Sequence, residues 1–123
     1  MCAGLGAWAA ATQALGLPQL ATVDNSAEMA VAHEVVHGIK TVVADITDFR
    51  WVEAWAVAEP WIFTASPPCQ PFTTLLSRWN GYTPWMDERT EPLLRTLTIA
   101  AIARPLAALL EAATVPSTPA RAA

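Results

Sequence analysis

The stretch LATVDNSAEMAVAHEVVHGIKTVVAD, residues 20–45, decides the fold. LATVD is a short β-rich run ending on the acid Asp24, and TVVAD is a buried-type strand ending on a second acid, Asp45. Between them AEMAVAHEVVH has helical character, with Ser26 placed as N-cap and Gly38 as C-cap. A strand, a helix and a strand in that order cannot form a hairpin, and the connection is long enough for a right-handed crossover. The unit therefore predicts parallel pairing. Inside the helix, His33, Glu34 and His37 have the H-E-x-x-H spacing that puts two imidazoles on one face, as in zinc hydrolases. A zinc site also needs a third ligand. Position 43, where the longer protease signature has another His, is Val, leaving only Glu53 and Glu59 as candidates. The pair of histidines is read as a solvated helix face, with zinc hydrolysis as the rival.

Outward from this unit the alternation continues. Upstream, MCAGLG is a small-residue turn opening onto the helix AWAAATQALG, which stops at Gly16. Downstream, a strand from about Trp61 to Ala65 runs into the loop PPCQPF. After the turn-rich NGYTPWMDERTEP, a helical pattern extends from Leu93 to about Ala113, bent at Pro105. Strands separated by helices predict one parallel α/β sheet with crossover helices. Ligands of such sheets bind at the carboxyl ends of the strands. That edge receives the glycine turn, Asp24, Asp45 and Cys69.

Composition narrows the classes. With 123 residues, 54% of them hydrophobic, the chain suffices for one core. A net charge of -4 and 15% charged residues give no chain-wide basic field for nucleic acid, so any phosphate contact must be local. Six Trp and ten Pro are many for this length, as expected of a domain with apolar surface left to cover. Cys2 and Cys69 lack the spacing of a disulfide framework or a metal knuckle, which points to a reducing, intracellular compartment. The first basic residue is Lys40, so the apolar N-terminal run lacks the charge of a secretory signal. The apolar run from Leu97 to Val115 is broken by Arg104, Pro105 and Glu111, which argues against a membrane span.

The sharpest motif is SPPCQPFT, residues 66–73, in which three prolines fix the backbone around one cysteine at a strand end. Such rigidity suits a nucleophile whose sulfur must be held in one place. Pro68, Cys69 and Gln70 with Phe72 resemble the nucleophile motif of the cytosine-5 methyltransferases. Other blocks follow in the family's order. CAGLGAW resembles the first S-adenosylmethionine motif, Asp24 in ATVDNS sits where the family keeps an acid for the ribose hydroxyls, ADITDF resembles the third block, and MDERTEPLLRTL resembles the block in which a D-x-R turn opens a helix. There are departures: Cys2 replaces a Phe that packs on the cofactor, Ala7 replaces the second glycine of a pair, and Asn25 replaces an apolar residue under the adenine.

The resemblance implies a partial Rossmann-like methyltransferase fold and a concrete chemistry. Cys69 would add to carbon 6 of cytosine so that carbon 5 can accept a methyl group, with the target base flipped out of the duplex. Pro68 and Gln70 would bind the base. Gly4, Leu5 and Gly6 would cradle the methionine part of S-adenosylmethionine, Asp24 would hold its ribose, and Asp45 with Ile46 would meet its adenine. The family continues with a strand ending in Glu-Asn-Val, whose Glu binds cytosine N3, then a Gln-x-Arg block and a target-recognition region; none of these motifs occurs in the sequence. Residues 1–113 are accordingly expected to be the N-terminal portion of a catalytic domain, incomplete on its C-terminal side, with 114–123 a disordered tail. The expected partners are DNA and a complementary C-terminal methyltransferase segment. Thr73 after Phe72 is similar to the branch that methylates a transfer RNA, and a cofactor-binding remnant without turnover is a further alternative. The resemblance places the protein in the nucleus of a eukaryote or the cytoplasm of a bacterium.

Overall fold

The computed structural model describes residues 2–48, 50, 60–73 and 82–112. The helix–strand order of the first half follows the sequence closely. Strand β1, Thr22–Asp24, helix α2, Ala27–His37, and strand β2, Thr41–Val43, form a parallel β-α-β unit with Thr22 opposite Thr41 and Asp24 opposite Val43. Helix α1, Ala7–Ala14, precedes it. Ser26 caps α2 by accepting a hydrogen bond from the Met29 amide at 3.2 Å, and Gly38 ends it in a left-handed conformation at φ 67°. Both cap assignments from the sequence hold.

Strand β3, Ile62–Ala65, leads into a 3-10 turn at Gln70–Phe72. Two further 3-10 turns, Pro84–Met86 and Glu88–Thr90, precede helix α3, Glu91–Ala103. At the second of these the D-x-R turn closes on itself. Asp87 accepts from the amide, Nε and Nη2 of Arg89 at 3.0, 2.9 and 2.6 Å, and from the Tyr82 hydroxyl at 2.8 Å. The Arg89 guanidinium holds the Asp87 carboxyl well below its ordinary range.

The long helix expected from Leu93 to Ala113 is a correction. Helix α3 stops at Ala103, Arg104 adopts a left-handed conformation at φ 47°, and after Pro105 the chain forms strand β4, Ala107–Leu110. Pro105 could neither donate to the helix nor fit beneath it, so the Leu and Ala residues beyond it were free to extend. Strand β4 pairs in parallel with β3, Ile62 opposite Ala107 and Ala65 opposite Leu110.

The sheet differs from expectation in a second way. Among the described residues pairing is parallel throughout, but β1–β2 and β3–β4 are separate two-stranded sheets. Ile46, Phe63, Ala65 and Ile99 form the core beside β3, with Cys2 and Ala100 packed against it. Helix α3 contributes Thr96, Ile99 and Ala103, a spacing that keeps one stripe inward. The buried Thr96 hydroxyl returns to its own helix at the Pro92 carbonyl, 2.7 Å away. No helix among the described residues is long and apolar enough to cross a membrane. The tail 114–123 lies outside the described residues.

Candidate active site

The glycine turn and Asp24 are joined directly. The Gly4 amide donates to Asp24 Oδ2 at 2.8 Å and the Ser26 amide donates to Oδ1 at 2.9 Å, so the carboxylate ties the turn before α1 to the end of β1. Asp24 is 8% exposed. Each carboxylate oxygen retains a second lone pair able to accept from a hydroxyl group. Gly4 has φ 50°, and a Cβ there would meet nothing within 4 Å, so the space above it is open for a ligand.

Gly6 is small for another reason. A Cβ on it would stand 2.5 Å from His37 Cδ2 and Nε2 and 2.7 Å from His33 Cδ2, at φ 90°. The two histidines pack against the turn, their ring centroids 5.0 Å apart. His37 Nε2 lies 2.9 Å from the carbonyl oxygen of Leu5, which can only accept, so this nitrogen carries the hydrogen. His37 Nδ1 lies 3.3 Å from the Gln13 side-chain oxygen, and His33 Nδ1 lies 3.0 Å from Thr41 Oγ1 and 3.3 Å from the Ile39 carbonyl. His37 Nε2 and His33 Nδ1 are thus engaged with protein groups. The H-E-x-x-H spacing clamps α2 onto the glycine turn. His33 is 1% exposed, which corrects the reading of a solvated face; only Glu34 of the three is fully in solvent. Among the described residues no three metal-ligating side chains gather, and Glu53 and Glu59 lie outside them.

Asp45 is exposed and its Oδ1 accepts from the amide and hydroxyl of Thr47 at 2.9 and 2.8 Å, which shapes the turn after β2. Ile46 is 5% exposed and packs in the core cluster. Its side chain supports the turn from below, while Leu5, 66% exposed, projects from the glycine turn.

Cys69 is half-buried at the start of the Gln70–Phe72 turn, between an exposed Pro68 and an exposed Gln70. Pro67 and Pro71 are buried and anchor the loop on both sides of the sulfur. The Phe72 amide donates to the Cys69 carbonyl at 2.9 Å, and the Phe72 ring meets Trp85 edge-on with centroids 5.1 Å apart. Trp8 Nε1 donates to Ser66 Oγ at 2.9 Å, tying the start of α1 to the residue that follows β3. Ser66 Oγ in turn donates to Glu111 Oε2 at 3.1 Å.

Glu111 is the residue the sequence reading missed. Its amide donates to the Ala65 carbonyl at 3.0 Å, extending the β3–β4 ladder by one rung and placing its carboxylate beside the Cys69 loop. The signal available was the Arg104-Pro105 break followed by a short apolar run.

Burial, with the carboxylates of Asp24 and Asp45 adding to it, pushes the Cys2 thiol up. Cys2 therefore stays a neutral packing group against the core. No protein-family model matches this chain, and no curated protein and no solved structure matches it either.

Proposed function

We propose that the chain transfers a methyl group from S-adenosylmethionine to carbon 5 of cytosine in DNA, with Cys69 as the nucleophile. The observation that carries this reading is the Trp8–Ser66–Glu111 chain, which sets the glycine turn and α1 against the proline-held Cys69 loop. Open space above Gly4 and a cysteine on a proline-held loop support the reading.

S-adenosylmethionine supplies an electrophilic methyl carbon on a sulfonium. The thiolate of Cys69 adds to carbon 6 of the flipped cytosine, forming an S–C bond and moving the ring π electrons toward carbon 5. Carbon 5 would then attack the sulfonium methyl carbon, breaking its bond to sulfur and releasing S-adenosylhomocysteine. Loss of the carbon 5 proton to water would let the Cys69 sulfur leave carbon 6, regenerating the thiolate and an aromatic 5-methylcytosine. Addition loads charge onto the ring, and an acid on N3 offsets it. Glu111, which follows β4 beside β3 and holds the Ser66 hydroxyl, would take that part. Asp24 would orient the ribose and Asp45 would meet the adenine, while the Ile46 side chain, buried in the core, would act only through the turn that it supports, and Gln70 and the Pro68 backbone would hold the base edge.

The test is transfer of labelled methyl from S-adenosylmethionine to a cytosine-containing duplex, with transfer RNA in parallel. Incorporation into DNA that vanishes in Cys69→Ala and falls by about 10²-fold in Glu111→Gln is the expected result. Undiminished incorporation by Cys69→Ala overturns the nucleophile assignment, and incorporation into transfer RNA alone overturns the substrate.

A further inference from the structure

Beside the D-x-R turn, a cavity of about 350 Å³ opens between the Pro84–Met86 turn and the first turns of α3. Its lining includes Trp85, Asp87, Glu88, Glu91 and Arg95, and none of the residues assigned above to cofactor, nucleophile or target base. Three of these groups are open to a ligand. Trp85 is 63% exposed, and Phe72 meets its ring edge-on and holds it in place. Arg95 reaches Glu91 Oε1 through Nη2 at 3.3 Å, but its Nε is buried and has no acceptor among the described residues. The Glu88 carboxylate is exposed and has no hydrogen bond or ion pair among the described residues, whereas Asp87 is already taken by Arg89 and Tyr82.

The buried donor narrows the ligand. An N–H shielded from water without an acceptor is costly, so a group that accepts from Arg95 Nε is favoured there. An anion could accept, but it would stand among the carboxylates of Asp87, Glu88 and Glu91. A cation would suit Trp85 and Glu88 but would leave Nε without an acceptor and face the guanidinium. An aliphatic group would cover both polar groups unmatched. An uncharged planar ring with an acceptor and an amine on its edge satisfies all three: the face stacks on Trp85, the acceptor takes the Nε hydrogen and the amine donates to Glu88.

We propose that this cavity binds a nucleobase bearing an exocyclic amine beside a ring acceptor, as cytosine and adenine do, stacked on Trp85 between Arg95 and Glu88. Uracil carries the opposite pattern, a ring N–H beside a carbonyl, and would set donor against donor at Arg95 and acceptor against acceptor at Glu88. The inference does not rest on methyl transfer, because the cavity uses neither Cys69 nor Asp24.

The probes are cytidine and uridine, titrated separately into the full chain with tryptophan fluorescence as the readout, and the variants are Trp85→Leu and Glu88→Ala. Cytidine should quench saturably, with uridine binding about tenfold or more weaker. Trp85→Leu should abolish the saturable quenching. Glu88→Ala, at an exposed position where truncation spares the fold, should bring cytidine down to the affinity of uridine. Quenching kept in Trp85→Leu signifies a base bound elsewhere on the chain, and an undiminished preference for cytidine in Glu88→Ala signifies selection by other groups; each overturns the proposal. Equal binding of the two nucleosides, or no saturation by either, does so as well.

Discussion

Gly6 illustrates how one residue can serve a role different from the one its motif suggests. It stands in a turn that resembles a cofactor loop, yet its missing Cβ makes room for His37 and His33. Gly6→Ala combines a left-handed backbone with that overlap and should lower stability by about 2 kcal/mol or more, measured by denaturant unfolding. The cysteines supply a second test at this scale. Burial raises the Cys2 thiol, so the neutral form is favoured in the folded chain; the stability it lends is complete below the ordinary thiol range and is lost as pH rises through the folded value. Iodoacetamide at mildly alkaline pH should therefore modify Cys69 before Cys2, as read by peptide mass mapping. Faster labelling of Cys2 contradicts that order.

Among the elements, the caps decide which segments were legible in the sequence. Ser26 and Gly38 mark the ends of α2 chemically, and the helix falls on Ala27–His37 as read. Ser26→Ala removes the acceptor of the Met29 amide and should cost about 1 kcal/mol, visible as a lower thermal midpoint. The second half of the apolar run beyond Leu93 was misread because Ala and Leu serve helix and strand alike. Only Arg104 and Pro105 record the change, and a proline alone can bend a helix or end it. Arg104 closes α3 at φ 47°, a conformation that suits glycine better than arginine. Arg104→Gly should stabilise the chain by about 1 kcal/mol in denaturant unfolding, and a loss of stability would contradict the left-handed cap. Glu111 was lost with the same misreading: on a helix it had no defined neighbour, and on β4 it faces Ser66.

For the whole molecule, alternation of strands and helices foretold parallel pairing but could not foretell that the pairs would stand apart, since which strand lies beside which depends on contacts distant in sequence. The core is correspondingly small, while Leu5, Val35, Val36, Trp61, Met86 and Leu106 are each at least 62% exposed. Two ties nevertheless cross between elements: Asp24 holds the glycine turn, and Trp8 and Ser66 link α1 to Glu111 after β4. The central claim is that the Cys69 sulfur attacks a pyrimidine. A duplex bearing 5-fluorocytosine, incubated with the chain and S-adenosylmethionine, tests this most directly, because fluorine in place of the carbon 5 proton blocks the elimination. The account predicts a covalent protein–DNA adduct that maps to Cys69 and is absent in Cys69→Ala; an adduct at any other residue, or none, would contradict it.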